Sequence, residues 1–161
     1  MKKSNTILRR IFNPTLLLIL ILTTSFTLEV SDREKGEALF KAVTSKNLKT
    51  VKNLVEKKGA DVNYVRRINE AFYIPVLMQA VMDDSQKIAT YLINKGADVN
   101  AKDGFKMTSL MWASHNGNIE LVKLLLEKGA DKNCEDQHGM TAIKGAKEAG
   151  HTEIVEILSE D

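Results

Sequence analysis

"LVKLLLEKGADKNCEDQHGMTAIKGA" (Leu121–Ala146) contains the stretch that decides the fold. Its "EKGAD" motif has earlier counterparts in "KKGAD" at Lys57–Asp61 and "KGAD" at Lys95–Asp98. The glycines of these three motifs, Gly59, Gly96 and Gly129, recur at nearly equal intervals. A nearly constant period of roughly 30–40 residues indicates stacked structural units rather than a single globule.

Each period reads as a short helix, a tight turn and a longer amphipathic helix, and the tight turns of the last two periods carry Gly117 and Gly150. Ala80, Ala113 and Ala146 are equally spaced along the chain, each within a short apolar segment. Short helices are marginally stable alone, so these pairs must bury their apolar faces against one another. The predicted short helices are 38–45, 76–83, 109–116 and 142–149, and the predicted long helices are 48–58, 86–95, 119–128 and 152–160.

The helix ends carry recognisable local signals. A glycine follows each of the first three long helices and suits a left-handed helix cap. The "ADVN" segments after Gly59 and Gly96, and "ADKN" after Gly129, predict turns in which Asp and Asn bond their own backbone. Thr108 and Thr141 are predicted to cap the third and fourth short helices. In the third long helix, Ile119, Val122, Leu125 and Leu126 are predicted to share the buried face, because they recur at spacings of three and four.

The segment "DGFKMTSLMWASHNGNIELVKLLLEKGADKN" (Asp103–Asn133) resembles an ankyrin repeat. "GADVN" at Gly59–Asn63 and Gly96–Asn100, and the segment Asp136–Leu158, fit the same pattern. The resemblance implies an all-α solenoid of about four stacked helix-turn-helix units with projecting β-hairpin loops. It places units at about 34–64, 65–101, 102–134 and 135–161, within a repeat domain of residues 31–161.

Departures from the family pattern lie at the starts of the short helices. The usual Thr-Pro-Leu-His reads "PVLM" from Pro75, "TSLM" from Thr108 and "TAIK" from Thr141. A stack less stable than an idealised one is therefore expected. The first unit lacks the motif and is predicted to be an N-terminal cap, and the last ends in the polar "SED", as a terminal unit requires.

The resemblance also implies a protein-binding function, with contacts on the concave face, at the hairpin tips and on the exposed sides of the short helices. The second hairpin loop, 63–75, is four residues longer than its counterpart, 100–108, and is rich in Tyr, Phe and Arg. It is either a tolerated insertion or a contact loop. A candidate exposed apolar stripe consists of Phe72, Ile74, Met82, Phe105, Met107 and Met140. The alternative for Phe105 and Met107 is that they pack on neighbouring hairpins, and Trp112 is expected half-buried between repeats. The candidate partner-binding residues are Arg66, Arg67, Phe72, Ile74, Met82, Asp83, Phe105, Met107, Trp112, His115, Asn116, His138, Met140 and Glu148.

Residues 1–30 have the character of a targeting segment. Four basic residues in the first ten are followed by an uncharged run, Ile11–Leu28, with "LLLILIL" at its centre. This pattern predicts a secretory signal, with an uncleaved membrane anchor as the alternative. The repeats are accordingly expected to be exported, either periplasmic or secreted, or else held outside the cytoplasm by the anchor in a bacterial envelope complex. Without these residues, 19 basic and 20 acidic residues remain, so the electrostatic signature of a nucleic-acid binder is missing.

Few residues offer chemistry. Cys134 and His138 lie four apart in a loop, a spacing compatible with a thiol–imidazole pair or half a zinc site. Neither arrangement is complete, so catalysis, a metal and a cofactor are not expected. The resemblance gives His151 a structural role in capping a turn. Cys134 is the single cysteine, which leaves an intermolecular disulfide open, although a monomer is expected.

Overall fold

The structure is a computed structural model that describes residues 31–160. One compact unit spans Lys35–Asp161, and the other, Met1–Glu34, falls almost wholly outside the described residues. The signal or anchor predicted in residues 1–30 therefore remains a prediction. Among the residues that are described, no helix is both long enough and apolar enough to span a bilayer.

Eight helices form four consecutive pairs over the described residues. The three later short helices and all four long helices begin at their predicted residues, and each ends within one residue of prediction. The first helix differs, because it is already helical at residue 31 rather than at 38. The helices are α1 (31–44), α2 (Leu48–Lys58), α3 (Val76–Met82), α4 (Gln86–Asn94), α5 (Ser109–His115), α6 (Ile119–Glu127), α7 (Ala142–Ala149) and α8 (Thr152–Ser159).

The pairs stack side by side in chain order. Short helix α3 packs on α5, and α5 on α7, while the long helices α2, α4, α6 and α8 form a second layer in the same order. Leu77, Leu110 and Ala146 from the short helices are buried, as are Leu92 and Leu125 from the long ones. Each unit therefore completes its hydrophobic core with its neighbours, as the repeat period predicts.

The buried face of α6 is rotated from its predicted position. Val122 and Leu125 are buried as predicted, but the third fully buried residue is Leu121. Ile119 and Leu126 are half-buried and pack at the edge of the core. Because α6 contacts α5, α4 and α8 together, its buried surface is set by three neighbours and cannot be read from one helical stripe.

The predicted helix caps are confirmed. The Thr108 and Thr141 hydroxyls each accept a hydrogen bond, at 3.3 Å, from the backbone N–H three residues later. Gly59, Gly96 and Gly129 adopt φ angles of 68°, 89° and 84°, which place them in the left-handed region. These caps satisfy backbone groups that a helix end leaves unpaired.

The hairpins differ in length and regularity. In the second unit, β1 (Val65–Arg67) pairs with β2 (Tyr73–Pro75) in an antiparallel sheet. The third unit has one antiparallel bridge, between Lys102 and Thr108. In the fourth, the N–H of Asp136 donates to the carbonyl of Met140 at 3.0 Å. The projecting hairpins implied by the family resemblance are therefore present, and the longest one forms true strands.

The asparagines after the first two "GAD" turns join neighbouring repeats. The Asn100 side-chain oxygen accepts from the backbone N–H of Asp131 at 2.8 Å, and its amide donates to the carbonyl of Gly129 at 3.0 Å. Asn63 makes the equivalent bonds to Asp98 (2.7 Å) and Gly96 (3.5 Å). The sequence predicted the bonds within each turn, which are present, but not these bonds between turns.

We expect Asn100→Ala to lower the free energy of unfolding by about 1–2 kcal/mol, because two backbone groups of the next turn lose their partner. Urea denaturation followed by the fluorescence of Trp112, the only tryptophan, measures the change. Asn133→Ala is the matched control, since Asn133 occupies the same turn position but its side chain bonds no other described residue. An equal loss in both variants would show that the effect is local to the turn.

Candidate interaction surface

The hairpin tips and the adjoining exposed sides of α3, α5 and α7 form one surface, here named the hairpin face. Its side chains recur in columns, because equivalent positions in successive repeats are regularly spaced along the chain. Three such columns are Ile74, Met107 and Met140; Gln79, Trp112 and Gly145; and Met82, His115 and Glu148.

Each hairpin tip is held by one acidic or amide side chain. Asn69 accepts from the N–H groups of Ala71 and Phe72 at 3.0 and 2.7 Å. Asp103 accepts from Phe105 and Met107, both at 2.9 Å. Asp136 plays the same part in the fourth unit, accepting from His138 at 2.7 Å and Met140 at 2.8 Å. These three side chains hold the backbone of the hairpin tips, and none of them was among the predicted site residues.

Asp103 is buried, and burial is the main cause that raises the pKa of its carboxyl above the ordinary value. Asp136 raises the pKa further, while the two backbone N–H groups lower it. A raised folded pKa means that the ionised carboxylate is less stable in the fold than in the unfolded chain. The resulting penalty is absent below the unfolded pKa of about 3.9 and grows as pH rises through the folded pKa.

We therefore expect Asp103→Asn to be at least as stable as the wild type at pH 7, with a gain of up to about 1 kcal/mol. The amide can accept the same two bonds without a charge, as Asn69 does in the second hairpin. Denaturation at several pH values checks this, since the gain should shrink as pH falls toward 4. Asp103→Ala is the control, and it should lose about 1–2 kcal/mol because two N–H groups lose their acceptor.

Neighbouring hairpins are bonded to one another across the face. The N–H of Gly104 donates to the carbonyl of Tyr73 at 3.2 Å, and that of Gln137 donates to Phe105 at 3.1 Å. The Phe72 and Phe105 rings meet edge to face, with centroids 5.6 Å apart. Phe72 is thereby half-buried, whereas Phe105 keeps 44% of its surface exposed. Both alternatives that the sequence left open for Phe105 therefore hold, because its ring packs on the neighbouring hairpin and also remains exposed to solvent.

The two arginines of the long hairpin also make contacts within the chain. The Arg66 guanidinium lies 3.4 Å from the Glu37 carboxylate and 4.9 Å from the centre of the Phe40 ring. Arg67 lies over the Tyr73 ring at 5.2 Å. Both arginines remain exposed, but Arg66 also holds the hairpin against α1. Ile68, at the turn, is 59% exposed and was not among the predicted contacts.

Several predicted contact residues have internal roles. Ile74 is only 8% exposed, so its assignment to an exposed stripe was wrong, because its side chain joins the core. The Asn116 amide donates to the carbonyl of Val81 at 3.4 Å, which ties α5 to the preceding repeat. Asp83 accepts from the Gln79 amide at 2.9 Å. Met82 is half-buried against the core, and His138 is exposed beside Gln137.

A groove of about 250 Å³ opens between the third and fourth units of the hairpin face. Five of the predicted contact residues line it, and Trp112 is half-buried there as expected. The other three lining residues were not among the predicted contacts. The groove is lined by Met107, Met111, Trp112, His115, Met140, Thr141, Gly145 and Glu148.

A family model described as ankyrin repeats in three copies matches residues 76–161, more than half of the chain. The chain belongs to the ankyrin repeat family. Its all-α stack with hairpin loops is the solenoid that this membership implies. A search of curated proteins found no match. Ankyrin repeats are generally protein–protein interaction modules and are typically not catalytic.

In this ankyrin protein, the two side chains Cys134 and His151, which could in principle take part in catalysis, contact neighbouring groups of the chain instead. The Cys134 thiol is 3.5 Å from an Asp131 carboxylate oxygen, and burial, followed by that hydrogen bond, raises its pKa. The thiol is therefore protonated at neutral pH and a poor nucleophile. His151 Nε2 lies 3.0 Å from the carbonyl oxygen of His115, which confirms its structural role. Within residues 31–160, no group of His, Cys, Asp and Glu side chains is arranged to hold a metal ion.

Proposed function

We propose that this chain is an exported, non-catalytic, monomeric adaptor that holds one protein partner on its hairpin face. The observation that carries the proposal is the apolar groove between the third and fourth repeats, and the exposed Phe105 ring adds to the apolar surface of the hairpin face. Apolar surface open to solvent is costly to retain, and lines of it commonly mark an interaction site. The ankyrin scaffold supports the same reading, because its repeats generally bind proteins.

A protein fits this surface better than a nucleic acid does. The groove lining is dominated by methionine and tryptophan side chains, and its one acidic residue, Glu148, would repel phosphate. Methionine is adaptable and frequent at surfaces that bind protein segments, and tryptophan is enriched at the centre of protein interfaces. The near balance of charge in residues 31–161 agrees with this choice.

A photo-reactive phenylalanine derivative placed at Phe105, in the full chain and in intact cells, tests the proposal. The same residue placed at Lys123 on α6, where the side chain is 59% exposed, is the matched control. We expect one protein species to be captured from position 105 but not from position 123, and excess unmodified chain to compete for it. Capture of the same mixture from both positions would contradict a dedicated hairpin face.

Export rests on residues 1–30 and has its own test. Fractionation of expressing bacterial cells, with mass measurement of the recovered chain, distinguishes the alternatives. A chain shortened by about 25–30 residues and released without detergent supports a cleaved signal. A full-length chain in the membrane fraction supports the tethered scaffold, and a full-length chain in the cytoplasm contradicts both.

A further inference from the structure

The groove lies where equivalent positions of two successive repeats differ most in size. One of them carries a large side chain, and the other carries none. Trp112 in the third repeat corresponds to Gly145 in the fourth, one repeat period later. Gly145 lies within α7, where glycine is less favourable than alanine because it loses more backbone freedom on folding. A Cβ atom added there would meet only the Cβ of His115, at an ordinary 3.9 Å. Packing within the chain therefore gives no reason for the glycine, whose effect is to keep the groove floor open.

The same groove carries a carboxylate with no partner. Glu148 lines it one turn after Lys144 on α7, a spacing at which the two side chains commonly form an ion pair. The Lys144 ammonium instead donates to the carbonyl of Gly139 at 2.7 Å. In the described part of the chain, neither Lys144 nor any other residue forms a salt bridge or a hydrogen bond with the Glu148 carboxylate. The groove thus combines apolar walls, an indole and a negative charge.

We propose that the groove accepts an arginine side chain from the protein partner. This inference rests on the proposed function and specifies what the partner presents. The aliphatic stem of arginine suits the methionine walls at Met107 and Met140, and its guanidinium suits both the Trp112 indole and the Glu148 carboxylate. Lysine fits less well, because its compact ammonium is more strongly hydrated and cannot pair in a bidentate way.

Other side chains match the groove poorly. An acidic side chain would meet Glu148, the one acidic residue of the lining. A purely apolar one would cover the carboxylate without a counter-charge, and burying an unpaired charge is unfavourable. Charge complementarity therefore favours a cation with a long apolar stem.

Selection of displayed random peptides on the full chain tests the inference and does not require the partner to be identified. Peptides that bind the wild type should be enriched in arginine at one fixed position. The enrichment should disappear on Glu148→Gln and remain on Glu156→Gln, which removes the same charge from the exposed side of α8. Gly145→Leu should reduce binding of the same peptides, with circular dichroism confirming that the helices are intact.

Titration of a selected peptide against the same peptide with citrulline in place of arginine supplies the decisive comparison. Citrulline keeps the shape of the side chain and removes its charge. Trp112 fluorescence reports directly from the groove. We expect citrulline to weaken binding by about tenfold on the wild type and by little on Glu148→Gln, since hydrogen bonds between oppositely charged groups are stronger than those between neutral ones.

Selected peptides without an arginine bias, or a bias that survives Glu148→Gln, would overturn the inference and leave the proposed function standing. Failure to select any peptide on the wild type, together with the absence of a captured protein in the cross-linking experiment, would contradict both.

Discussion

Replacing Gly104 by alanine is expected to lower the free energy of unfolding by about 2–4 kcal/mol, the upper range for overpacking a site that cannot relax. A Cβ atom at this position would lie 1.9 Å from the carbonyl oxygen of Ala71 and 3.3 Å from the Cα of Phe72. Both are backbone atoms, so no side-chain rotation relieves the contact. The two hairpins would have to separate, which also breaks the hydrogen bond from Gly104 to Tyr73.

Gln137→Ala is the matched control, because Gln137 follows the hairpin aspartate of the fourth repeat as Gly104 does in the third. It makes the equivalent backbone bond to the preceding hairpin, yet carries an exposed side chain. We expect Gln137→Ala to change stability by no more than about 0.5 kcal/mol. Urea denaturation of both variants gives the comparison, and a similarly small loss in Gly104→Ala would show that the hairpins move apart freely.

The contrast between the two positions follows from the inserted residues of the second hairpin. Its tip is held by Asn69, which brings the Ala71 carbonyl against Gly104. The third hairpin is four residues shorter and leaves room for the Gln137 side chain. The longer loop therefore has a structural consequence in the next repeat, whether or not it also contacts a partner.

The elements predicted well from the sequence are those that local signals determine. Helices α2 to α8 begin where the apolar period and the capping residues place them, because both signals act within a few residues along the chain. The Thr108 and Thr141 caps and the left-handed glycines belong to the same class. Five of the predicted contact residues line the groove, because the family pattern indicates which positions face outward, and their contact with a partner stays a prediction.

The features that were predicted wrongly or not at all share a different cause, because each depends on contacts with a neighbouring repeat. The burial of Ile74 depends on packing against the core, and the buried face of α6 depends on contacts with three other helices. The groove itself requires Trp112 in one repeat and Gly145 in the next. Aligning the two repeats would have shown the missing side chain, but not that the space stays unfilled.

In the turns between paired helices, residues of different types adopt the same left-handed backbone conformation. Lys46 and Asp84 adopt φ angles of 52° and 51° where the later repeats place Gly117 and Gly150, at 77° and 79°. The two glycines were predicted as turn residues from the sequence, whereas Lys46 and Asp84 were not. A left-handed residue other than glycine is tolerated when its side chain has open space, so the need for glycine must be decided from the surroundings of each turn.

Gly117→Ala should therefore lose about 2–3 kcal/mol, of which only about 1 kcal/mol comes from the left-handed backbone. The rest comes from His151, whose ring atoms would lie 2.6–2.9 Å from the new Cβ atom. The ring is held 3.0 Å from the His115 carbonyl oxygen, so moving it away also breaks a bond between repeats. Thermal or urea unfolding of the purified chain measures the loss.

Gly150→Ala separates the two contributions, because Gly150 has nearly the same φ but no atom within 4 Å of an added Cβ. It should lose only about 1 kcal/mol. In a His151→Ala background, the cost of Gly117→Ala should fall to the same value, since the clash and the bond it breaks are both already gone. If Gly117→Ala instead costs the same with and without the His151 ring, the ring yields easily and the bond to His115 contributes little to joining the third and fourth repeats.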